Sequence, residues 1–461
     1  MALGPQRSAA APHPARTPQV ARRTACLAAH AGPSRPLTSA GLHDMQMNRR
    51  GFLMTGAAAI GVGLLADYRA FAQESAAGLQ PMTGDVVPIG REEFARRLAK
   101  AQRLMGEQGL DAILIEPGAS MTYFCGVQWW RSERLTALII PREGEPCVVT
   151  PEFEEPSVRE SLKVPAEVRI WNEHQNPHER VAQFLRDRRL TGPVGIEETV
   201  RFFAMDGLRQ AMPGADIRAG APVVRACRMI KSAPELALMQ KASDITLAAY
   251  RHIHPRIERG MNPAQIEAMY IAAVTALGGR GAGGLILLGE AAAYPHGSGR
   301  PQAVRDNEVV LLDSGCNVEG YASDISRTFV FGEPTAAQRR VWDQVHQGQE
   351  IAFAAAQIGR TAGSVDDAVR AQYERWGYGP GYRLPGTSHR TGHGIGMEGH
   401  EPINLVHGET TPLAAGMCFS NEPGIYIPGQ FGIRLEDCFY MTDSGPRWFS
   451  VPPPSIDTPF G

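Results

Sequence analysis

Residues 309–312, Val-Val-Leu-Leu, form an apolar run that reads as a buried strand, and Asp313 ends it. Asp324 follows within the same short stretch, between Ser323 and Ile325. The motif repeats further on. Glu422 follows the apolar "MCFSN", and Glu436 lies inside "GIRLEDCFYMT". Burying one unpaired carboxylate is costly, and burying several together adds mutual repulsion. A fold that gathers these four acids must supply cations. Asp324 and Glu436 are expected on the strands that return from Asp313 and Glu422 as hairpins, so that each hairpin offers two carboxylates to one centre.

The 461 residues exceed what one hydrophobic core organises, so two domains behind a leader are expected. Residues 48–72 read as the leader. Arg49 and Arg50 precede the apolar "TGAAAIGVGLLA", and "AFA" at 70–72 fits a small-residue cleavage site. This resembles a twin-arginine export signal, which implies a periplasmic or secreted protein. The alternative is an uncleaved leader that anchors the chain to a membrane. Residues 1–44 are rich in Ala, Pro and Arg, and read as a misassigned start or a transit-like segment. The first 72 residues hold 8 Arg and 2 acidic residues, which leaves 38 basic against 46 acidic residues in the rest. That acidic balance argues against a nucleic-acid partner. The apolar stretch of the leader is too short and too rich in Gly and Ala for a membrane span, so no stable insertion of the mature chain is expected.

Residues 73–90 read as a flexible linker. From 91 to 225, helical periods such as "REEFARRLAKAQRL" alternate with short apolar runs, "DAILIE", "TALIIP", "EPCVVTP", "EVRIW" and "PVGIEE". This is the pattern of an α/β domain. From 226 to 461 the character is α+β. Helices are expected after Ser232 (with Glu235 completing a capping box), Asn262, Thr335 and Ser364. Antiparallel strands lie between and after them. Of seven Cys, Cys26 lies in the leader and the other six show no metal-type spacing, so they read as small buried hydrophobes.

Four segments of the second domain carry acids and histidines at strand ends or turns. "YPHGSG" holds His296, and the first hairpin holds Asp313 and Asp324. "SHRTGHGIGMEGHEP" holds His389, His393 and His400, and "SNEPGIYIPGQFGIRLED" holds Glu422, Arg434 and Glu436. Singly, each has an ordinary explanation as a turn residue, a core imidazole or a surface ion pair. Together, four carboxylates and one imidazole need divalent cations. An oxygen-rich set with one His suits Mn²⁺, with Co²⁺, Fe²⁺ or Zn²⁺ as alternatives.

These residues resemble the creatinase/aminopeptidase P/prolidase metallopeptidases, family M24, and most of all a bacterial Xaa-Pro dipeptidase. The resemblance rests on the Asp-x10-Asp spacing, on His393 and His400, on "NEPGIYIPG" and "GIRLED", and on His296 upstream of Asp313. It implies a C-terminal pita-bread catalytic domain preceded by an α/β creatinase-type N-terminal domain. It also implies hydrolysis of the peptide bond before proline, with a small peptide bearing proline at its second position as substrate. By the same resemblance, Asp313 would chelate one ion and His393 with Glu422 the other, while Asp324 and Glu436 would bridge them. A hydroxide between the ions would attack the carbonyl. His400 would donate to the oxyanion, and His296 would assist there or pass a proton to the leaving nitrogen. Glu422 would take a proton from the water. His389 falls where relatives place a pocket histidine, and Arg434 would orient Glu436 or meet a substrate carboxylate. A homodimer is implied, with the N-terminal domain narrowing the mouth of the site; Trp129 and Trp130 are its candidates there, with core or surface packing as the alternative.

The loop 401–416 lacks the arginine that many prolidases use to hold a dipeptide's carboxylate, and His407 is its one basic candidate. Dipeptidase and longer-peptide aminopeptidase therefore both stay open. Other readings are a creatinase-like amidinohydrolase, a dimethylsulfoniopropionate-lyase-like enzyme and a binding module. Creatinase works without metals and has lost most ligands, whereas all five are here. The lyase set has an additional Asp where this chain has Gly315. A binding module would be expected to have lost ligands.

Overall fold

The computed structural model describes residues 74–460. The leader, the segment 1–44 and Cys26 lie outside the described residues. No helix among the described residues is long and apolar enough to cross a membrane.

The first half is a six-stranded mixed sheet between two layers of helices. Its strands are β1 (Ala112–Ile115), β2 (Ala137–Pro141), β3 (Cys147–Pro151), β4 (Glu167–Trp171), β5 (Val194–Ile196) and β6 (Ile217–Ala219), in the order β4-β3-β2-β1-β5-β6. Its helices are α1 (Arg91–Gln108), α2 (Ala119–Cys125), α3 (Glu155–Ser161), α4 (Pro177–Asp187), α5 (Phe202–Ala211) and α6 (Ala221–Met229). Every residue of β1, β2 and β3 is buried, as a sheet covered on both faces requires. The pleat divides them. Ile113 and Ile115 pack with Phe94 of α1 and Val223 of α6, while Ala112 and Leu114 pack with Phe184 of α4 and Leu208 of α5. The edge strand β6 escaped the sequence reading because it is three residues long and two of them are exposed.

The second half follows α7 (Ala233–Ile253) and α8 (Pro263–Ala276). Both start where the caps predict. The Ser232 N–H donates to the Glu235 carboxylate at 2.8 Å, and Asn262 Oδ1 accepts the Gln265 N–H at 3.0 Å. Strands β7 (Arg280–Leu288), β8 (Glu308–Val318), β9 (Tyr321–Ala322) and β10 (Ile325–Phe331) make one antiparallel sheet. Helices α9 (Ala336–Ala355) and α10 (Gly363–Arg375) follow; α10 was expected after Ser364 but already starts at Gly363, so Ser364 lies inside it. A second sheet contains β11 (Gly392–Gly394), β12 (Glu401–Leu405), β13 (Cys418–Asn421), β16 (Asp437–Thr442) and β17 (Gly445–Trp448). Between β13 and β16 stands a separate ribbon of β14 (Gly424–Ile427) and β15 (Phe431–Arg434). Along β8, Val310 and Leu312 face the α7–α8 core, whereas Val309 and Leu311 face the core built by α9 and α10.

Three expectations need correction. Asp313 does not end its strand; it sits inside β8, opposite Leu285 on β7 and Ser326 on β10. "GIRLEDCFYMT" is not one strand, because it breaks at Leu435–Glu436, and the partner segment breaks at Glu422–Pro423. Pro423 has no N–H to extend a ladder. Glu436 instead spends its backbone on Ser326, donating its N–H to the Ser326 carbonyl at 3.1 Å and accepting the Ser326 N–H at 3.2 Å. The two sheets are joined there. Residues 74–90, expected as a flexible linker, lie against the second half. Leu79, Met82, Val86 and Ile89 pack on its core, Met82 N–H donates to the Leu277 carbonyl at 2.8 Å, and Asp85 pairs with Lys241. The six described cysteines are buried free thiols.

An ion pair closes the seam between the sheets. Arg327 on β10 and Asp437 on β16 are 1% and 0% exposed, with Nη2 to Oδ1 at 2.8 Å. Arg327 Nη1 also donates to the carbonyls of Ser326 and Glu436, and Gln349 and Ser450 donate to Asp437. Removing one partner would strand a charge in the interior. Asp437→Ala is therefore expected to cost about 3–5 kcal/mol in denaturant unfolding, and Arg327→Met with Asp437→Leu clearly less than the single change. Equal losses would refute this account of the seam.

Candidate metal centre

The turn between β8 and β9 explains how Asp313 and Asp324 meet. Glu319 and Gly320 have φ of 49° and 83°, the two-residue hairpin geometry that matches strand twist. That turn fixes the register, pairing Asn317 with Ala322 and Asp313 with Ser326. The hairpin opens at 323–324, so Asp324 leaves the ladder just before β10. At the second hairpin, Asn421 pairs with Asp437 and Gly424 with Arg434, and Glu422 and Glu436 lie in the gap between those pairs. The first hairpin thus breaks at Asp324 and the second at Glu422 and Glu436. The Ser326–Glu436 bridge holds the breaks together.

The result is one cluster. Possible ligand atoms lie within 4.8 Å of one another in three overlapping sets: Asp313, Asp324 and Glu436; His393, Glu422 and Glu436; and Asp324, His393 and His400. His393 Nε2 is 3.2 Å from Glu422 and 3.9 Å from Asp324, while its Nδ1 contacts the Gly394 carbonyl at 3.1 Å. That second contact leaves Nε2 to face the acids. Gly392 allows this strand to pass closely, since a Cβ there would lie 2.1 Å from the Ser420 carbonyl oxygen.

The charges do not balance within the protein. Arg434 pairs with Asp313 and donates to Ser326 Oγ at 3.2 Å, and the Ser326 hydroxyl lies 2.9 Å from Asp313 and 2.8 Å from Glu436. Glu436 Oε1 is buried with no hydrogen-bond partner. Burial, Asp313 and Glu422 push the Asp324 carboxyl up to about 8, against the pull of His393 and Arg434. Burial and Asp324 push Glu436 well above the carboxylate range. Glu422 goes the other way: burial opposes it, but His393 and His389 hold it down to about 2. An orphaned carboxylate oxygen, two acids that resist ionisation and an oxygen-rich donor set fit divalent cations.

The flanking residues divide. His400 lies against His393, with ring centroids 4.1 Å apart, and burial and His393 push its pKa down to about 4. His389 is fixed by Tyr426, whose hydroxyl is 2.7 Å from Nε2, and its Nδ1 is 3.9 Å from Glu422. Arg434 was expected at Glu436 or a substrate carboxylate. Its guanidinium pairs with Asp313 and reaches Glu436 only through Ser326, while Nη1 donates to Tyr426 and the Pro295 carbonyl. His296, next to Pro295, is exposed, and its ring makes no hydrogen bond or ion pair among the described residues. His407 points to α10, bonding Asp367 at 2.7 Å. Trp129 and Trp130 stack at 4.7 Å, and Trp129 donates to Glu154.

Comparisons with known proteins agree with this geometry. Residues 97–230 match the creatinase/prolidase N-terminal domain, and residues 237–443 match metallopeptidase family M24. A probable dipeptidase PepE of Mycobacterium tuberculosis is 32% identical, over 77% of this chain and 93% of that one. An Xaa-Pro dipeptidase of Lactobacillus delbrueckii subsp. lactis is 30% identical, over 77% of this chain and 96% of that one. The chain belongs to metallopeptidase family M24. A prolidase from Thermococcus sibiricus superposes with a TM-score of 0.72 at 27% identity, covering 78% of this chain and 97% of that chain. This M24 chain is thus a hydrolase of the metallopeptidase class, with a pita-bread catalytic domain behind a creatinase-type domain.

The sequence reading of this M24 site missed Ser326 and Tyr426. Ser326 was legible in principle, because a two-residue turn at Glu319–Gly320 places it opposite Asp313. Tyr426 carried no signal, since it reaches Arg434 and His389 only through the folded ribbon. Gly315 proves to be constrained: a Cβ there would lie 2.0 Å from the Ser323 carbonyl oxygen, so this backbone admits no Asp at 315.

The raised carboxyls give a linkage prediction. An acid raised on folding contributes stability that is full below its unfolded pKa and is lost as pH rises through the folded value, here about 8 for Asp324. Metal-stripped protein should therefore lose stability between roughly pH 4 and 8. At pH 7, adding Mn²⁺ should release about one or two protons per chain in weakly buffered solution. Binding with no proton release would contradict the protonated state of the empty cluster.

Proposed function

We propose that this metallopeptidase cleaves the bond before proline in short peptides, using two divalent cations, with Mn²⁺ the best match to the donors. The observation that carries the reading is the convergence of Asp313, Asp324, His393, Glu422 and Glu436 on one centre with a carboxylate oxygen left unpaired. The names of the relatives supply the substrate class. Asp313 would hold one ion, His393 and Glu422 the other, and Asp324 and Glu436 both. Bound there, the pair supplies Lewis acidity that makes water nucleophilic near neutral pH and polarises the carbonyl.

The chain's own groups do the rest. His400, with its pKa depressed, is a neutral imidazole at pH 7 and donates a hydrogen bond to the developing oxyanion. Glu422 accepts a proton from the attacking water. His296, on the exposed loop beside Pro295, passes a proton to the leaving nitrogen. Arg434 and Ser326 hold Asp313 and Glu436 in register. Proline's nitrogen carries no N–H, so the pocket need not satisfy a donor at the scissile amide.

The competing chemistries of the fold are less well supported. A metal-free amidinohydrolase would leave the unpaired Glu436 oxygen without a purpose, and the lyase-type Asp has no room at Gly315.

The test is turnover of Ala-Pro, Ala-Pro-Ala and Ala-Ala by Mn²⁺-loaded enzyme, with metal counted per chain. Cleavage of the proline peptides at about two ions per chain is expected. No cleavage of any proline peptide would sink the substrate assignment. His400→Ala should lower kcat by about 10²–10³-fold and keep its metal. Loss of an ion in that variant would make His400 a ligand instead.

A further inference from the structure

His400 has the most consequential placement left unexplained. Its ring makes no hydrogen bond among the described residues and touches the His393 ring at 4.1 Å. Its position therefore follows from the backbone of the loop between β11 and β12. That loop is organised by the next residue. Glu401 is 4% exposed, and its carboxylate turns back to accept the N–H groups of Met397 at 2.9 Å and Glu398 at 3.3 Å. The Gly396 carbonyl accepts the Ala322 N–H at 2.8 Å, which ties the same loop to β9, two residues from Asp324.

A buried carboxylate in the loop beside His400 would be unfavourable without cations of its own. Two arrive from the stretch that joins the halves of the chain. Lys231 Nζ lies 3.0 Å from Glu401 Oε2, and Arg228 Nη2 lies 2.6 Å from Oε1. Burial alone would raise the Glu401 pKa; Lys231 and Arg228 hold it down to about 2. Arg228 also pairs with Glu398 at 2.7 Å and donates to Ser120 Oγ at 2.9 Å, and Ser120 donates to Glu197 at 3.1 Å. The chain of contacts thus runs from the N-terminal sheet to the residue beside His400. Gly396 makes room for it, since a Cβ there would stand 2.7 Å from both Glu401 Oε2 and Lys231 Cε.

We infer that Glu401, clamped by Lys231 and Arg228, is a positioning residue that sets His400 against His393 and couples it to the N-terminal half. This rests on the oxyanion role proposed for His400. The clamp touches no metal ligand, so it acts on the placement of His400 and not on ion binding. A displacement of about 1 Å at such a group can cost 10²-fold in rate.

The experiment is a double-mutant cycle. Glu401→Gln, Lys231→Met and Lys231→Arg are made with His400 present and with His400→Ala, in the full Mn²⁺-loaded enzyme. With His400 present, Glu401→Gln and Lys231→Met should lower kcat on Ala-Pro by about 10–100-fold, hold KM within about twofold and keep wild-type metal content. With His400→Ala, the same changes should cost less than about twofold more, because the group they position is gone. Lys231→Arg should restore most of the rate. Hydrogen exchange gives a readout independent of turnover: amides at 395–401 should exchange roughly tenfold faster in Lys231→Met than in wild type, with the global unfolding midpoint little changed. Undiminished losses in the His400→Ala background, or unchanged exchange at 395–401, would overturn the proposal. A wild-type enzyme that cleaves no proline peptide would end the substrate reading instead, and the exchange result would still decide the clamp.

Discussion

Repulsion among four carboxylates, Glu436 buried and Asp313, Asp324 and Glu422 half-buried, governs this structure. Asp324 raises the affinity of Glu436 for protons, and Asp313 and Glu422 raise that of both. The protein answers that repulsion only in part. Arg434 offsets Asp313, Ser326 offers one hydroxyl to two acids, and His393 stabilises Glu422. What is left over is a deficit of positive charge with a fixed shape. A site that keeps an unpaired buried oxygen is unfavourable by itself and becomes favourable when a divalent ion supplies the missing charge.

The rest of the fold holds that deficit in place. One antiparallel hairpin breaks at Asp324 and the other at Glu422 and Glu436, and the Ser326–Glu436 bridge brings the breaks together. Behind the bridge, Arg327 and Asp437 form an ion pair with most of its hydrogen bonds satisfied, so the seam resists being pulled apart by the acids in front of it. The N-terminal sheet enters through Arg228 and Lys231, on the loop that carries His400. The proposed ligands come from the pita-bread half, whereas the contacts of Glu401, beside the flanking imidazole of His400, reach both halves.

Much of this was readable from residue types and spacing. The caps at Ser232, Asn262 and Thr335 start their helices as expected, because capping is decided within four residues. The four acids stand out because carboxylates beside apolar runs are conspicuous, and His393 stands out through the resemblance carried by its spacing to His400. Their exact placement was less legible. Asp313 looked like a strand end because polarity was read as a boundary, yet alternation keeps it inside β8 facing Ser326. Glu436 looked like strand because nothing local shows that its backbone pairs with Ser326, far away in sequence. Tyr426 and Glu401 were overlooked for the same reason: a buried Tyr and a Glu after a His look ordinary until their partners arrive from distant segments.

The central claim is that the acid cluster cages a pair of cations. Anomalous diffraction at the manganese edge, on crystals of the Mn²⁺-loaded chain, tests it most directly. The account predicts two peaks about 3.5–4 Å apart among Asp313, Asp324, His393, Glu422 and Glu436. Peaks elsewhere, or no peak within that cluster at saturating Mn²⁺, would contradict it.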